Sequence, residues 1–341
     1  MIARLAYSIS DCRKIYIPQG CTRRHKQDRD SPATQECCDS RPHLGILTRR
    51  FGWSGRASGH NTVNATKLLL ILPLLAVFAY ISLLGLTYLS QRALLYPGAS
   101  ATLAPVRASW GQNVYIQTPD GETLHGLYSQ SDPGQPSVLF FLGNADRVSN
   151  YGFLAQALAA RGIGLLALSY RGYPGSTGTP SERGLLIDGI AAFDWLAAHS
   201  GNEIVVLGQS LGSGVAVNTA GQRPAVAVIL ASAYLSVVSL AQTYYPFFPV
   251  ALLTKDPFRS DLKIAKVRQP KLFIHGRHDA IIPLSSGEAL YQIATEPKEM
   301  IIYDGLGHND LWDVRMVDDI IGFVQSQKGG TAAPPPRRDR N

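Results

Sequence analysis

The pentapeptide Gly208-Gln209-Ser210-Leu211-Gly212 constrains this chain more than any other stretch. It follows the apolar run Ile204-Val205-Val206-Leu207 and precedes a small-residue segment of helical character that begins at Leu211. A G-x-S-x-G in that setting predicts a tight strand-to-helix turn with the serine at its apex. A Cβ in place of either glycine would press on the adjoining helix or strand, while the serine hydroxyl projects at the sheet edge. The N–H of Leu211, at the helix start, then faces the place where charge on an oxyanion would develop. Such a pentapeptide also arises by chance in a chain with 32 glycines, so the flanking strand and helix carry the argument.

The same alternation of strand and helix runs from Arg92 to Gln327. Strand-like runs fall at 113–117, 123–128, 137–142, 163–169, 204–208, 226–231, 271–275 and 300–303. Amphipathic stretches at about 150–161, 182–199, 211–221, 285–294 and 310–326 read as helices. Asp120-Gly121 between the first two runs predicts an antiparallel hairpin. The later runs are apolar throughout, as befits strands covered on both faces. The expected fold class is α/β: a mostly parallel eight-stranded sheet with an antiparallel start and helices on both faces.

A serine nucleophile needs a base within hydrogen-bond reach and a carboxylate to orient that base. His308, in Asp304-Gly305-Leu306-Gly307-His308-Asn309, lies on a Gly-rich loop after the last strand-like run and can reach the carboxyl edge of the sheet. The other body histidines fit less well: His125 is in the early hairpin, His199 ends a helix, and His275 and His278 flank a strand end. Asp279, in His275-Gly276-Arg277-His278-Asp279-Ala280-Ile281-Ile282-Pro283, follows a buried strand and belongs to the same edge. Asp256, Asp304 and Asp310 compete for the acid role, with Asp310 better suited to capping the final helix. A second oxyanion donor is expected on the loop after Val138-Leu139-Phe140-Phe141, and the N–H of Asn144 beside Gly143 is the candidate.

Residues 68–89 form an uncharged run of 22, enough to cross a hydrocarbon core of about 30 Å. The run reads as a transmembrane anchor spanning 67–90, with Pro73 tolerated in lipid. A cleaved signal sequence, with Val77-Phe78-Ala79 near the cut, is the competing reading. Arg49, Arg50, Arg56 and Lys67 precede the run, and only Arg92 and Arg107 follow closely, so the N-terminus is expected in the cytoplasm and the body across the membrane.

The formal charge of +7 belongs to the ends. Residues 1–66 carry 11 Lys/Arg against 5 Asp/Glu, and 327–341 carry 4 against 1, leaving the body slightly acidic. A basic footprint on a folded face is missing, which argues against nucleic-acid binding. Segments 1–66 and 328–341, the latter ending in PPPRRDRN, are expected to be disordered, flanking a catalytic domain at 91–327. All four cysteines, Cys12, Cys21, Cys37 and Cys38, precede the anchor with spacing that fits neither zinc nor a disulfide frame. No metal or organic cofactor is implied, and the oligomeric state is open.

Further motifs add a specific resemblance. Arg92-Ala93-Leu94-Leu95-Tyr96-Pro97, Gly143-Asn144-Ala145, the stretch YRGYPGSTGTPSE at 170–182, GQSLG, Tyr244-Tyr245-Pro246-Phe247-Phe248-Pro249, HGRHDAIIP and GLGHND occur in order. In these the chain resembles α/β-hydrolase-fold serine hydrolases of the single-pass, membrane-anchored group that includes lysophospholipid lipases and protein depalmitoylases, often labelled serine aminopeptidase-like. The resemblance covers about 92–327. It implies an acyl-enzyme hydrolase with Ser210, Asp279 and His308 as triad, Leu211 and Asn144 at the oxyanion hole, and a small-molecule or lipid-like acyl ester or thioester as substrate.

Two positions depart from the group, which usually has His-Gly-Asn-Ala-Gly where this chain has Leu142-Gly143-Asn144-Ala145-Asp146. The change removes a side-chain prop and adds a charge near the developing anion, so slower turnover is expected. A peptidase of aminopeptidase type, or a non-catalytic membrane-tethered binding protein, are the alternatives. The Gly/Pro-rich 170–182 stretch lacks a Gly-Lys-Ser/Thr ending, so it reads as a structural loop with Ser181 capping the next helix. The apolar residues of 233–267, among them Tyr234, Leu235, Tyr244, Tyr245, Phe247, Phe248, Leu252 and Leu253, either line an acyl pocket, form a small cap, or pack in the core.

Overall fold

A computed structural model describes residues 65–100, 108–201, 203–327 and 338–340. The four cysteines, Arg107 and the segments expected to be disordered, except Ala65, Thr66 and 338–340, lie outside the described residues. Among the described residues the chain divides at Tyr80/Ile81 into two units, the second of which is the body.

Helix α1, Ala65–Leu95, crosses that division as one continuous helix. The most apolar 18-residue window of its stretch Lys67–Leu95 has a mean hydropathy of 2.5 and none of that window is buried, so by length and composition the helix can cross a membrane. Thr87 and Ser90 return their hydroxyls to the carbonyls of Leu83 and Leu86, both at 2.8 Å, which leaves these polar groups satisfied without water.

The body is built on a nine-stranded sheet in the order β1-β2-β4-β3-β5-β6-β7-β8-β9. β1 (Gln112–Gln117) and β2 (Thr123–Ser129) form the expected hairpin, and β2 also runs antiparallel to β4 (Gly164–Leu168). From β4 onward every pairing is parallel: β3 (Ser137–Phe141), β5 (Ile204–Gln209), β6 (Ala227–Ala231), β7 (Lys271–Gly276) and β8 (Lys298–Tyr303). The central strands are buried along their whole length, as their unbroken apolar sequences require. Alternate side chains feed two separate cores. One contains Leu139, Phe141, Val206 and Leu230, the other Val138, Phe140, Val205 and Ile229.

The ninth strand was not expected. Arg338–Arg340 of the tail pairs in parallel with Ile301–Tyr303 as β9, so β8 is no longer the edge. Asp319 accepts from Arg340 at 2.6 Å and holds the strand in place.

Helices α2 (Gly152–Ala159), α3 (Glu182–Ser200), α4 (Leu211–Ala220), α7 (Leu284–Ile293) and α8 (Val314–Ser326) answer to the periodic segments. Ser181 caps α3 by accepting from the N–H of Gly184, as expected, and Gly201 ends it at φ 61°. The cap of α8 is Asp313, not Asp310, because the helix begins at Val314 and not at 310 as the sequence suggests. Two short helices, α5 (Val237–Tyr244) and α6 (Val250–Leu253), lie between β6 and β7.

Arg171 is the main polar strut of the hairpin side. Its guanidinium spans Asp188, at 2.8 Å, and Asp120, at 2.7 and 3.0 Å, while its own N–H donates to Asp188. Burial pushes the Asp188 carboxyl up to about 6 against the pull of Arg171. This is a structural site, in keeping with the loop reading of 170–182. Arg171→Ala leaves Asp188 buried with a backbone N–H but no counter-charge and is expected to lower the unfolding free energy by about 3–5 kcal/mol, read from urea denaturation. A loss below about 1 kcal/mol would contradict the strut role.

Candidate active site

Ser210 stands between the end of β5 and the start of α4, with φ 52° and ψ −120°. A non-glycine residue with positive φ persists only where its surroundings over-determine it. Here they do. A Cβ on Gly212 would lie 2.1 Å from the carbonyl oxygen of Phe141, and one on Gly208 would lie 2.4 Å from that of Gly212. The N–H of Ser210 donates to Ala231 at 2.9 Å, and its carbonyl accepts from the N–H and hydroxyl of Ser213 at 2.9 and 2.7 Å.

Asp279 and His308 come from the turns after β7 and β8, at the carboxyl edge where β5 delivers Ser210. His308 Nδ1 lies 2.7 Å from Asp279 Oδ2, and the other carboxylate oxygen accepts from the N–H groups of Ile281 and Ile282 at 2.9 and 2.7 Å. Burial opposes ionisation of Asp279, but His308 and the Ile282 N–H outweigh it and hold the carboxyl below its ordinary value. The sign follows: ionised Asp279 contributes stability above its unfolded pKa of about 4, and that contribution fades as pH falls through the folded value. The histidine loop is pinned by Asp310, which accepts from the N–H of Gly307 at 2.6 Å, and this replaces the capping role expected of Asp310.

The remaining histidines among the described residues are accounted for. His275 is buried, with Nε2 2.9 Å from the carbonyl of Ile282, and burial pushes its pKa down. Nε2 therefore carries a proton and donates it to that carbonyl. His125 is buried with Nε2 2.9 Å from Asn113, and His199 stacks on Trp195 at 3.9 Å. His278 is exposed.

Opposite Ser210 lies the loop after β3, where a Cβ on Gly143 would meet Ser210 Cβ at 3.8 Å. Asn144 turns its carbonyl toward Tyr173 Oη and the N–H of Gly98, at 2.7 and 3.2 Å, and its side-chain amide donates to Leu95 at 3.2 Å. Among the described residues the N–H groups of Asn144 and Leu211 donate to no protein acceptor. Tyr170 donates to the carbonyl of Leu142 at 2.9 Å. Thus two tyrosines of the 170–182 stretch hold the loop that lacks its usual histidine. Sequence reasoning missed them, although their i, i+3 spacing in a glycine-rich turn was visible.

Asp146 does not carry a loose charge. Its carboxylate accepts from the N–H of Arg147 at 2.9 Å, from Asn150 at 2.8 Å and from the Tyr151 hydroxyl. The Tyr151 oxygen also lies 2.9 Å from the end of the Gln209 side chain, whose amide donates back when turned with its NH2 toward the phenol. Asp146 is thereby tied, through Tyr151, to the residue before the serine.

The 233–267 segment divides among the roles proposed for it. Tyr234 is core, donating to the carbonyl of Leu211 at 3.3 Å, whereas Tyr244 donates at the Ala280 and Ile281 carbonyls beside Asp279, at 2.9 and 3.0 Å. An open groove lined by Arg92, Asp120, Arg183, Ile187 and Asp256 includes none of Ser210, Asp279 or His308.

A strained serine turn and an Asp-His pair on the carboxyl edge of a parallel sheet define an α/β hydrolase, and comparison agrees. The family described as serine aminopeptidase, S33, matches residues 133–265. An uncharacterized protein of Mycobacterium tuberculosis is 38% identical over 266 residues, covering 73% of this chain and 93% of its own. Rat lysophosphatidylserine lipase ABHD12 is 33% identical over 186 residues, 47% of this chain and 45% of that one. An esterase of Pyrococcus furiosus shares the fold at TM-score 0.53 and 18% identity, over 64% of this chain and 91% of its own. The chain belongs to the α/β-hydrolase-fold serine hydrolases grouped with the serine aminopeptidase S33 family.

Gly212→Ala places a methyl group against backbone that cannot swing aside. The variant is expected to lose at least about 2 kcal/mol of stability in denaturant titration. Unchanged stability would mean that the turn has room the geometry denies.

Proposed function

We propose that the protein is a membrane-anchored serine hydrolase that cleaves a carboxylic ester or thioester of a lipid-like acyl substrate. The observation that carries the reading is the 2.7 Å Asp279–His308 pair on the same sheet edge as the strained Ser210 turn. In this reading Ser210 Oγ attacks the acyl carbonyl while His308 Nε2 takes its proton. Asp279 keeps the Nδ1 proton in place and favours the imidazolium that forms. The unused N–H groups of Leu211 and Asn144 receive the oxyanion, an interaction worth about 3 kcal/mol per donor. His308 returns the proton to the leaving group, and water repeats the sequence to release the acid.

The substrate class rests on the apolar helix and on the likeness to a lysophosphatidylserine lipase across 47% of this chain and 45% of that one. The family label favours a second reading, an aminopeptidase. Ser210 is expected to react with a fluorophosphonate probe and Ser210→Ala to give no signal. Folded protein that never labels would leave the non-catalytic binding reading. Among substrates, p-nitrophenyl esters are expected to outpace aminoacyl-anilides, and the reverse order would make the enzyme a peptidase.

We place α1 across the membrane with the N-terminus cytoplasmic, because Arg49, Arg50, Arg56 and Lys67 precede the apolar run. A phosphatase reporter that works only outside the cytoplasm, fused after Gln327, is expected to be active. Activity of a cytoplasm-only reporter at that point would reverse the topology.

A further inference from the structure

The exit of α1 is bolted to the segment that carries α5 and α6. Gln91 donates to the carbonyl of Leu253 at 3.1 Å and accepts from the N–H of Lys255 at 2.7 Å. Arg92 pairs with both oxygens of Asp256, at 2.8 and 3.1 Å, and Asp256 also accepts from the N–H of Glu182 at the start of α3. Lys255 Nζ stands 4.0 Å above the ring of Tyr88. Four hydrogen bonds and one cation–π contact therefore fix the end of α6 and the residues after it against residues 88–92 of the helix.

That level has a meaning if residues 68–89 occupy hydrocarbon, as proposed above. Tyr88 and Arg92 then mark the membrane–water boundary, where tyrosine rings and basic side chains are at home. One helical turn is about 5.4 Å, so α6 cannot be far from the same plane. On it, Val250 is buried against the body while Leu252 is 86% exposed, and Phe247 just before it is also 86% exposed. Tyr244 and Tyr245 continue the surface with Tyr244 exposed at its ring and tethered by its hydroxyl to the Asp279 turn. In water an exposed leucine and phenylalanine carry a hydration cost, but at an acyl boundary they gain by burial.

We propose that the α5–α6 segment is a second membrane contact, with Phe247 and Leu252 inserted at the headgroup–acyl boundary of the bilayer that α1 crosses. The partner is a lipid surface. Its place is set by continuity with the membrane-crossing helix, and Lys255, above the Tyr88 ring, is a basic group at that level. The contact would bring the Asp279 turn, through Tyr244, to the side of the body that faces acyl chains. The inference rests on the membrane-anchored reading, and the experiment separates the two.

The full chain, with Cys12→Ser, Cys21→Ser, Cys37→Ser and Cys38→Ser, is given one cysteine by Leu252→Cys, Phe247→Cys, Leu83→Cys or Glu203→Cys. Each variant is labelled with an environment-sensitive fluorophore and reconstituted into phosphatidylcholine vesicles with or without acyl chains brominated near the headgroup. Leu83 reports the span, and Glu203 is exposed at the amino end of β5. The labels at 252 and 247 are expected to be quenched about twofold by brominated lipid, and the label at 203 not at all. Quenching at 83 with none at 252 and 247 overturns the second contact while the span stands. No quenching at 83 removes the span itself, and a blue-shifted but unquenched label at 252 assigns the surface to a protein partner instead.

Discussion

Helix α4 meets the end of β3 so closely that only a hydrogen atom fits at Gly212, with the Phe141 carbonyl where a Cβ would stand. The rest of the site depends on that contact. It forces the chain leaving β5 to turn within one residue, and Ser210 takes the positive φ that results. It also sets the first N–H of the helix and the loop after β3 on either side of the serine. The strain is held by the sheet itself, since Ser210 donates to β6 and Ser213 binds its carbonyl.

The loop opposite the serine is supported from three directions. Tyr170 and Tyr173 hold the carbonyls of Leu142 and Asn144, the exit of α1 holds the Asn144 side chain, and Asp146 reaches Tyr151 and so Gln209. These contacts use the carbonyls and side chains of the loop and leave the Asn144 N–H without a protein acceptor. The helix read as an anchor thus also belongs to the framework of the site.

Most of the framework was legible because it is written in short-range signals. Short strand-like runs, the later ones apolar throughout, located the eight main strands, and G-x-S-x-G located the turn that needs two glycines. Asp279 and His308 were legible from chain order at strand ends, and the 2.7 Å bond joins them. What failed to show was decided by the assembled fold and not by the local residue pattern. Asp310 looked like a cap, yet it bonds the N–H of Gly307 while Asp313 caps α8. The tail strand β9 exists because β8 offers a free edge, a property of the assembled sheet and not of the PPPRRDRN composition. The aromatic residues of 233–267 looked like one cluster, but they divide between core, acid turn and open surface.

The loss of the usual loop histidine and the gain of Asp146 read as two defects in sequence, and geometry joins them into one arrangement. A carboxylate beside an oxyanion is costly when its charge is uncompensated in a low-dielectric site. The Asp146 carboxylate instead accepts a backbone N–H, an amide and a phenol. Burial and the neighbouring Asp146 push the Tyr151 hydroxyl well above its ordinary pKa, so it stays a donor. A neutral phenol between a carboxylate and the Gln209 amide couples the loop to the residue before the serine. Tyrosines on both sides of the loop hold it where the resemblance implies a histidine prop.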